Sequence, residues 1–560
     1  MTCLRVRLLR SVATKPRFYG YLFSSYHHNT FRDAYSRASC ATPASARSSI
    51  CRDAAAVDVY SPRAPLAPAT DATRGLEQRR NELSCLSGGV VILGRPQALV
   101  TDDSARTFMG HPRGLFYLAF TEAWERFSYY GMTALVVLYM VNQLLLPGHV
   151  DHIAGFARFR AFVESMVGPL STQALASQIF GLYTGFVYFT PLLGGQIADR
   201  WIGQRNAVVI GALLMSAGHL AMASEKTFLL ALLLLVVGSG LLKGNISAQV
   251  GALYPRNEEA LRTRGFTVFS MAINVGAVTG PLLCGLLAQV YGWDYGFGIA
   301  AIFMLTGLAT YLSGYRFLPA RVPRRTHEGG TLSSADWRVI LALAAVMMIT
   351  VFQSVAYYQL ANVLPVWLQQ HVALDVGSLR IPVPWYQSID PLFSIFGVPL
   401  LFWIWHQQAS RRREPGDLAK IGIGAWLAAA SNLILVAAIL AAGSARVHPI
   451  WPFLYCAGQG IAFLYYWPTL LALVSRTAPA KVNATMMGLA FMTLALANNL
   501  VGWIGGFYEA MTPVTFWTMH AAIGATGGML VMLFGRRLSR TFEASLDEPV
   551  RLSVRALEVE

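Results

Sequence analysis

Two carboxylates and a guanidinium crowd the run Glu122-Ala123-Trp124-Glu125-Arg126-Phe127-Ser128-Tyr129-Tyr130-Gly131, which lies inside a long apolar segment. Glu122, Glu125, Arg126, Tyr129 and Tyr130 follow the spacing i, i+3, i+4, i+7, i+8, so one helix presents them on one face. The other face, with Phe127, Met132 and leucines, suits lipid or packed neighbours. Charge inside a bilayer is costly, so such a cluster marks a functional pathway and must find partners. The stripe reads as the wall of a water-filled cavity. Its carboxylates can take and release protons, and its guanidinium can hold an anion.

A second buried cation is expected at Lys243, within Gly240-Leu241-Leu242-Lys243-Gly244-Asn245-Ile246-Ser247. It lies too many turns from either end of its segment to snorkel easily. Pairing with Glu122 or Glu125 is the economical arrangement, and a purely structural ion pair is the bland alternative. Asn274, in Phe269-Ser270-Met271-Ala272-Ile273-Asn274, either hydrogen-bonds a substrate or joins helices.

These residues need elements to carry them. The chain has 560 residues, 55% hydrophobic and 13% charged, whereas a soluble domain carries about 25% charged residues. Apolar stretches of roughly 20 residues, the length that crosses a bilayer, recur about twelve times. The first set covers 115–146, 174–198, 206–223, 227–250, 265–291 and 296–317. The second covers 338–369, 386–408, 418–442, 449–475, 482–508 and 514–535. The expected fold class is an all-α integral membrane protein of about 12 transmembrane helices in two six-helix halves.

Basic residues concentrate in alternate loops, including Arg200, Arg205, Arg262, Arg264, Arg411, Arg412, Arg413 and Lys481. By the positive-inside rule those loops and both ends of the bundle are cytoplasmic. The formal charge of +15 is therefore mostly a topology signal, and no basic soluble domain argues for nucleic acid. Residues 1–108 are rich in Arg, Ser, Ala and Pro and carry no span. They read as a disordered tail or a mis-started extension, with a composition that would also suit a transit peptide. An N-terminal bundle over 109–317, a linker over 318–337, a C-terminal bundle over 338–537 and a cytoplasmic tail over 538–560 complete the organisation. Cysteine spacing gives no CxxC or metal signature. No nucleophile motif, phosphate loop or metal spacing supports an enzyme, a metal site or ATP-driven transport.

After span two comes Gly194-Gly195-Gln196-Ile197-Ala198-Asp199-Arg200-Trp201-Ile202-Gly203-Gln204-Arg205. Its glycines allow close helix approach, and Asp199, Arg200 and Arg205 are placed to latch the cytoplasmic side. The loop pattern resembles the signature of the major facilitator superfamily. With ExxERFxYYG at 122–131, Ile381-Pro382-Val383-Pro384-Trp385-Tyr386-Gln387-Ser388, Ala478-Pro479 and Met486-Met487-Gly488, the chain resembles the proton-dependent oligopeptide transporter family (POT, or PTR) from about His111 to Arg537.

The resemblance implies proton-coupled import of di- and tripeptides by alternating access, with no cofactor beyond the proton gradient. It implies short peptides and protons as partners. The lack of a clear secretory signal and the compact linker suggest the bacterial inner membrane, and a monomer is expected. Arg126 and Lys243 would attract the peptide carboxylate. Glu122 and Glu125 would couple protons with Lys243. Tyr129, Tyr130, Tyr183 and Tyr188 would line the pocket.

Two departures stand out. The family's span-ten Glu-x-x-x-Ser-Pro reads Phe463-Leu464-Tyr465-Tyr466-Trp467-Pro468 here, with neutral Gln459 one turn earlier. The span-eight Gln-Ser-x-Asn-Pro reads Gln387-Ser388-Ile389-Asp390-Pro391. The expectation is that the anionic partner of the substrate ammonium has moved to Asp390, unless Asp390 merely caps its helix. In span seven, Tyr358-Gln359 stands where relatives carry Glu-Gln. The linker is too short for the two extra helices of many bacterial relatives. Competing expectations are the same fold carrying another small anion or metabolite, and a non-transporting peptide sensor.

Overall fold

The computed structural model describes residues 107–255, 258–319 and 332–557. All but Thr107 and Phe108 of the extension expected over 1–108, and most of the 318–337 linker, lie outside the described residues. Among the described residues, twelve helices of 18 residues or more carry the fold. They are α1 (Arg113–Tyr139), α3 (Thr172–Ile197), α4 (Gln204–Ala221), α5 (Phe228–Ala252), α6 (Glu259–Tyr291), α7 (Trp293–Ser313), α8 (Ser334–Tyr358), α10 (Ile389–Ser410), α11 (Asp417–Ala442), α12 (Ile450–Thr477), α13 (Asn483–Gly505) and α14 (Pro513–Leu557). Two shorter helices, α2 (Phe156–Val167) and α9 (Val363–His371), lie in the first loop and at the end of span seven.

Nine of the described segments are long and apolar enough to cross a membrane by composition. The other three long helices have polar work to do. Charge interrupts α1 at Glu122, Glu125 and Arg126, while α3 carries Gln, Thr and Tyr, and α4 carries Arg205, Asn206 and His219. Leu233, Leu341 and Leu440 point outward and exposed, as a surface facing acyl chains requires.

Local chemistry sets the helix limits. The α3 N-terminus is capped by Ser171, whose Oγ accepts from Ala174 N at 3.1 Å. Ser333 and Asp336 form a reciprocal capping box that starts α8. Span seven, read from sequence as one stretch over 338–369, is broken instead. The chain leaves α8 at Tyr358 and restarts at Val363, with Pro365 in the first turn of α9, where a missing N–H costs nothing. Gln359 Nε2 and Asn362 Nδ2 each donate to Val501 O at 3.1 Å, tying the break to α13.

Within the first half, α1 packs on α6 and α7, α3 on α5, and α4 on α5 and α7. Within the second, α8 packs on α13 and α14, α11 on α12 and α14, and α10 on α12. Two seams join the halves: α3 against α13, and α6 against α10 with the turn Val383–Ser388 before it.

The α3/α13 seam is tight because it is built of glycine. A Cβ on Gly181 would lie 2.6 Å from Gly502 Cα and 2.7 Å from Asn498 O. Hydrogen bonds between the halves gather toward one end of the bundle. Asn142 donates to Gln369 (3.0 Å), Gln173 to Gly505 O (3.3 Å), Gln289 to Arg380 O (2.9 Å) and Trp385 to Leu282 O (2.9 Å). Ser388 Oγ also reaches Val278 O at 2.7 Å. That end is closed.

Candidate functional site: a cationic and an anionic pole

Glu122, Glu125 and Arg126 are all buried on α1. Arg126 Nε lies 2.8 Å from Glu122 Oε1 and 2.7 Å from Glu125 Oε2. The adjacent turn of one helix thus supplies both carboxylates to one guanidinium. Lys243 on α5 therefore does not pair as the sequence suggested. Its ammonium sits 4.1 Å from the Tyr129 ring centroid and 5.7 Å from that of Tyr188, held by aromatic faces. Among the described residues it makes no ion pair within 4 Å. The physical reason is competition: Arg126, one residue and one turn away, reaches both acids with no interhelical adjustment. Two cations and two anions still share this region, so it is neutral when all are charged.

Tyr130 is half-buried and packs edge-on against Tyr129. Tyr183 is buried on α3. From Tyr188 a polar path crosses to the other half. Tyr188 OH lies 3.2 Å from Tyr358 OH, and the Tyr358 ring meets Tyr357 edge-on at 4.9 Å. Tyr357 OH then donates to Asp390 Oδ2 at 2.5 Å.

Asp390 stands in the first turn of α10, half-buried, with Oδ1 enclosed and lacking a hydrogen-bond partner among the described residues. No described Lys, Arg or His lies within ion-pair distance of it. Gly460 on α12 makes room for it, since a Cβ there would approach Oδ1 to 3.0 Å. Buried Gln459 precedes that glycine. Phe463 stacks on Tyr357 at 5.3 Å and covers the side of the carboxylate's hydroxyl donor.

The first-turn position is the one a helix-capping Asp would occupy, but the side chain is held by a tyrosine of α8 instead. Sequence reasoning missed Tyr357. A tyrosine in an apolar helix reads as core, and only the fold brings it to Asp390. Asn274 is half-buried on α6 and forms no side-chain hydrogen bond among the described residues.

The predicted latch also differs from expectation. Asp199 and Arg200 are exposed in a π turn that ends α3, where Asp199 Oδ1 accepts from Gln204 Nε2 at 3.2 Å. Arg205 donates to Leu318 O and Pro319 O and lies 4.6 Å over the Tyr315 ring. It thus binds the chain leaving α7 rather than Asp199.

Membrane-crossing helices around paired charges define a carrier class, and comparison with known proteins specifies it. The model of the POT family matches residues 205–329 and 330–522. The peptide transporter YePEPT of Yersinia enterocolitica is 29% identical over 78% of this chain and 96% of its own length. The di-/tripeptide transporter of Lactococcus lactis subsp. cremoris is 26% identical over 76% of this chain and 96% of its own. The uncharacterized transporter YclF of Bacillus subtilis is 28% identical over 80% and 99%.

A crystal structure of the peptide transporter POT in complex with sulfate superposes with a TM-score of 0.68 at 26% identity, covering 78% of this chain and 98% of that one. The chain belongs to the POT family, with the major facilitator superfamily fold. It is a multi-pass membrane transporter and not an enzyme.

Proposed function

We propose that this protein is a proton-coupled symporter that imports di- and tripeptides by alternating access. The observation that carries this reading is the opposed pair of poles. Arg126 and Lys243 offer two cations on one side, and Asp390 offers a carboxylate without a cation on the other. A zwitterion with its charges at opposite ends of a short chain complements both poles. Relatives described as peptide transporters support the same cargo.

Coupling follows from the shared guanidinium. A substrate carboxylate that draws Arg126 leaves Glu122 or Glu125 short of a cation, and a proton fills the deficit. Release of the substrate returns the cation and expels the proton. One charge moving down about 100 mV supplies roughly 2.3 kcal/mol, enough for on the order of 40-fold accumulation of a neutral dipeptide.

In this reading the closed end faces outward and the basic loops face the cytoplasm of a bacterium, as do both termini. Arg205 acts at the cytoplasmic gate by tying the start of α4 to the chain leaving α7, with Asp199 and Arg200 in the turn beside it. Tyr129, Tyr130, Tyr183, Tyr188, Asn274 and Gln459 line the substrate path.

The test is competition against labelled dialanine in proteoliposomes. Free dipeptides should compete, and N-acetylated dipeptides should compete at least tenfold less well, because acetylation removes the ammonium that Asp390 holds. Equal competition by both would argue for an amino-less cargo.

A further inference from the structure

At the end of α10 remote from Asp390 the helix runs into Ser410-Arg411-Arg412-Arg413-Glu414. A cavity of about 260 Å³ opens there, lined by Trp403, Ile404, Gln407, Gln408, Arg411 and Arg413. The turn that closes it is specific. Arg413 N donates to Gln408 O at 2.8 Å, and Arg412 adopts a left-handed φ of 54°. The chain is thereby folded so that Arg411 and Arg413 line the cavity and Arg412 does not.

Nearby acids leave the cavity uncompensated. Glu414 lies 2.6 Å from Lys420, and Asp417 lies 2.7 Å from Arg476. Among the described residues neither Arg411 nor Arg413 forms an ion pair. Gln408 Oε1 is enclosed without a hydrogen-bond partner.

An apolar stripe leads to this cationic rim. Phe396, Leu400 and Trp403 are exposed at helical spacing along α10, and Gln407 continues the row into the cavity. The order from mid-helix to helix end is therefore aromatic and aliphatic, then amide, then guanidinium. A phospholipid has the same order: acyl chain, glycerol ester, phosphate. Inorganic phosphate would use only the arginines, and a choline headgroup would bring a cation to a cationic rim.

We propose that this cavity binds one anionic phospholipid, with its phosphate between Arg411 and Arg413, its ester region at Gln407 and Gln408, and an acyl chain along Trp403, Leu400 and Phe396.

The test is native mass spectrometry of the full-length protein titrated with phosphatidylglycerol or phosphatidylcholine of the same chain length. The wild type should bind one phosphatidylglycerol saturably and at least tenfold more tightly than phosphatidylcholine. Each cavity guanidinium removed should weaken binding roughly 5-fold, so Arg411→Gln/Arg413→Gln should lose about 25-fold. Arg412→Gln removes the same charge from the same turn but not from the cavity, and should bind as the wild type does.

Equal losses in the Arg412 variant would reduce the effect to diffuse surface charge and overturn the site. So would no preference in the wild type, a measurement that needs no variant. Displacement of phosphatidylglycerol by excess inorganic phosphate would make it a phosphate site instead.

Discussion

Asp390 concentrates the residue-scale argument. An enclosed carboxylate with one tyrosine donor and no described cation is poised for a cation that arrives from outside. Asp390→Asn keeps the shape and removes the charge. A charge-assisted hydrogen bond contributes about 1.5–3 kcal/mol, so KM for dialanine should rise about 10- to 100-fold. Competition by N-acetyldialanine should not change.

Lys243→Ala should abolish gradient-driven uptake, because Arg126 is already shared by two acids and cannot alone release one of them. The charged residues were legible from sequence because charge in an apolar run has no neutral explanation. Their pairing was not. Intrahelical reach favoured Arg126 over Lys243, and that preference depends on side-chain geometry. Tyr357 and its bond to Asp390 were invisible for the same reason: the two are 33 positions apart on different helices.

Elements were easier to read than contacts. Twelve apolar periods became twelve long helices, because hydropathy and loop charge are properties of the chain itself. The break in span seven was hidden because Pro365 looks like any proline in a membrane helix, and the amides that stabilise the break, Gln359 and Asn362, act through a partner on α13. The amphipathic α2 was also unanticipated. Phe156 and Val163 turn inward while Phe162 and Met166 stay exposed, a pattern too short to register as a span.

The glycine seam carries the element-scale prediction. Gly181→Ala places a methyl against the backbone of Gly502, and neither side can yield without separating α3 from α13. Overpacking of this kind costs about 1–3 kcal/mol. It should appear as a lower melting temperature in detergent, while Gly195→Ala, where a Cβ meets nothing within 4 Å, should melt as the wild type does.

At the scale of the whole molecule, the halves are joined at one end by hydrogen bonds and interlocked glycines, and transport requires that end to open. Cysteines at Ala174 and Gly506 would test this, because a Cβ on Gly506 lies 3.5 Å from Ala174 Cβ, within the range of a disulfide. The double variant should cross-link under mild oxidation, lose uptake, and regain it on reduction.

In the proposed mechanism a peptide and a proton share the Glu122, Glu125, Arg126 and Lys243 cluster. Its most direct measurement is uptake of labelled dialanine into proteoliposomes with and without an inward proton gradient, for the wild type, Glu122→Gln and Lys243→Ala. A shared cluster requires gradient-dependent accumulation by the wild type and its loss in both variants. Accumulation that ignores the gradient, or that survives in both variants, would contradict it.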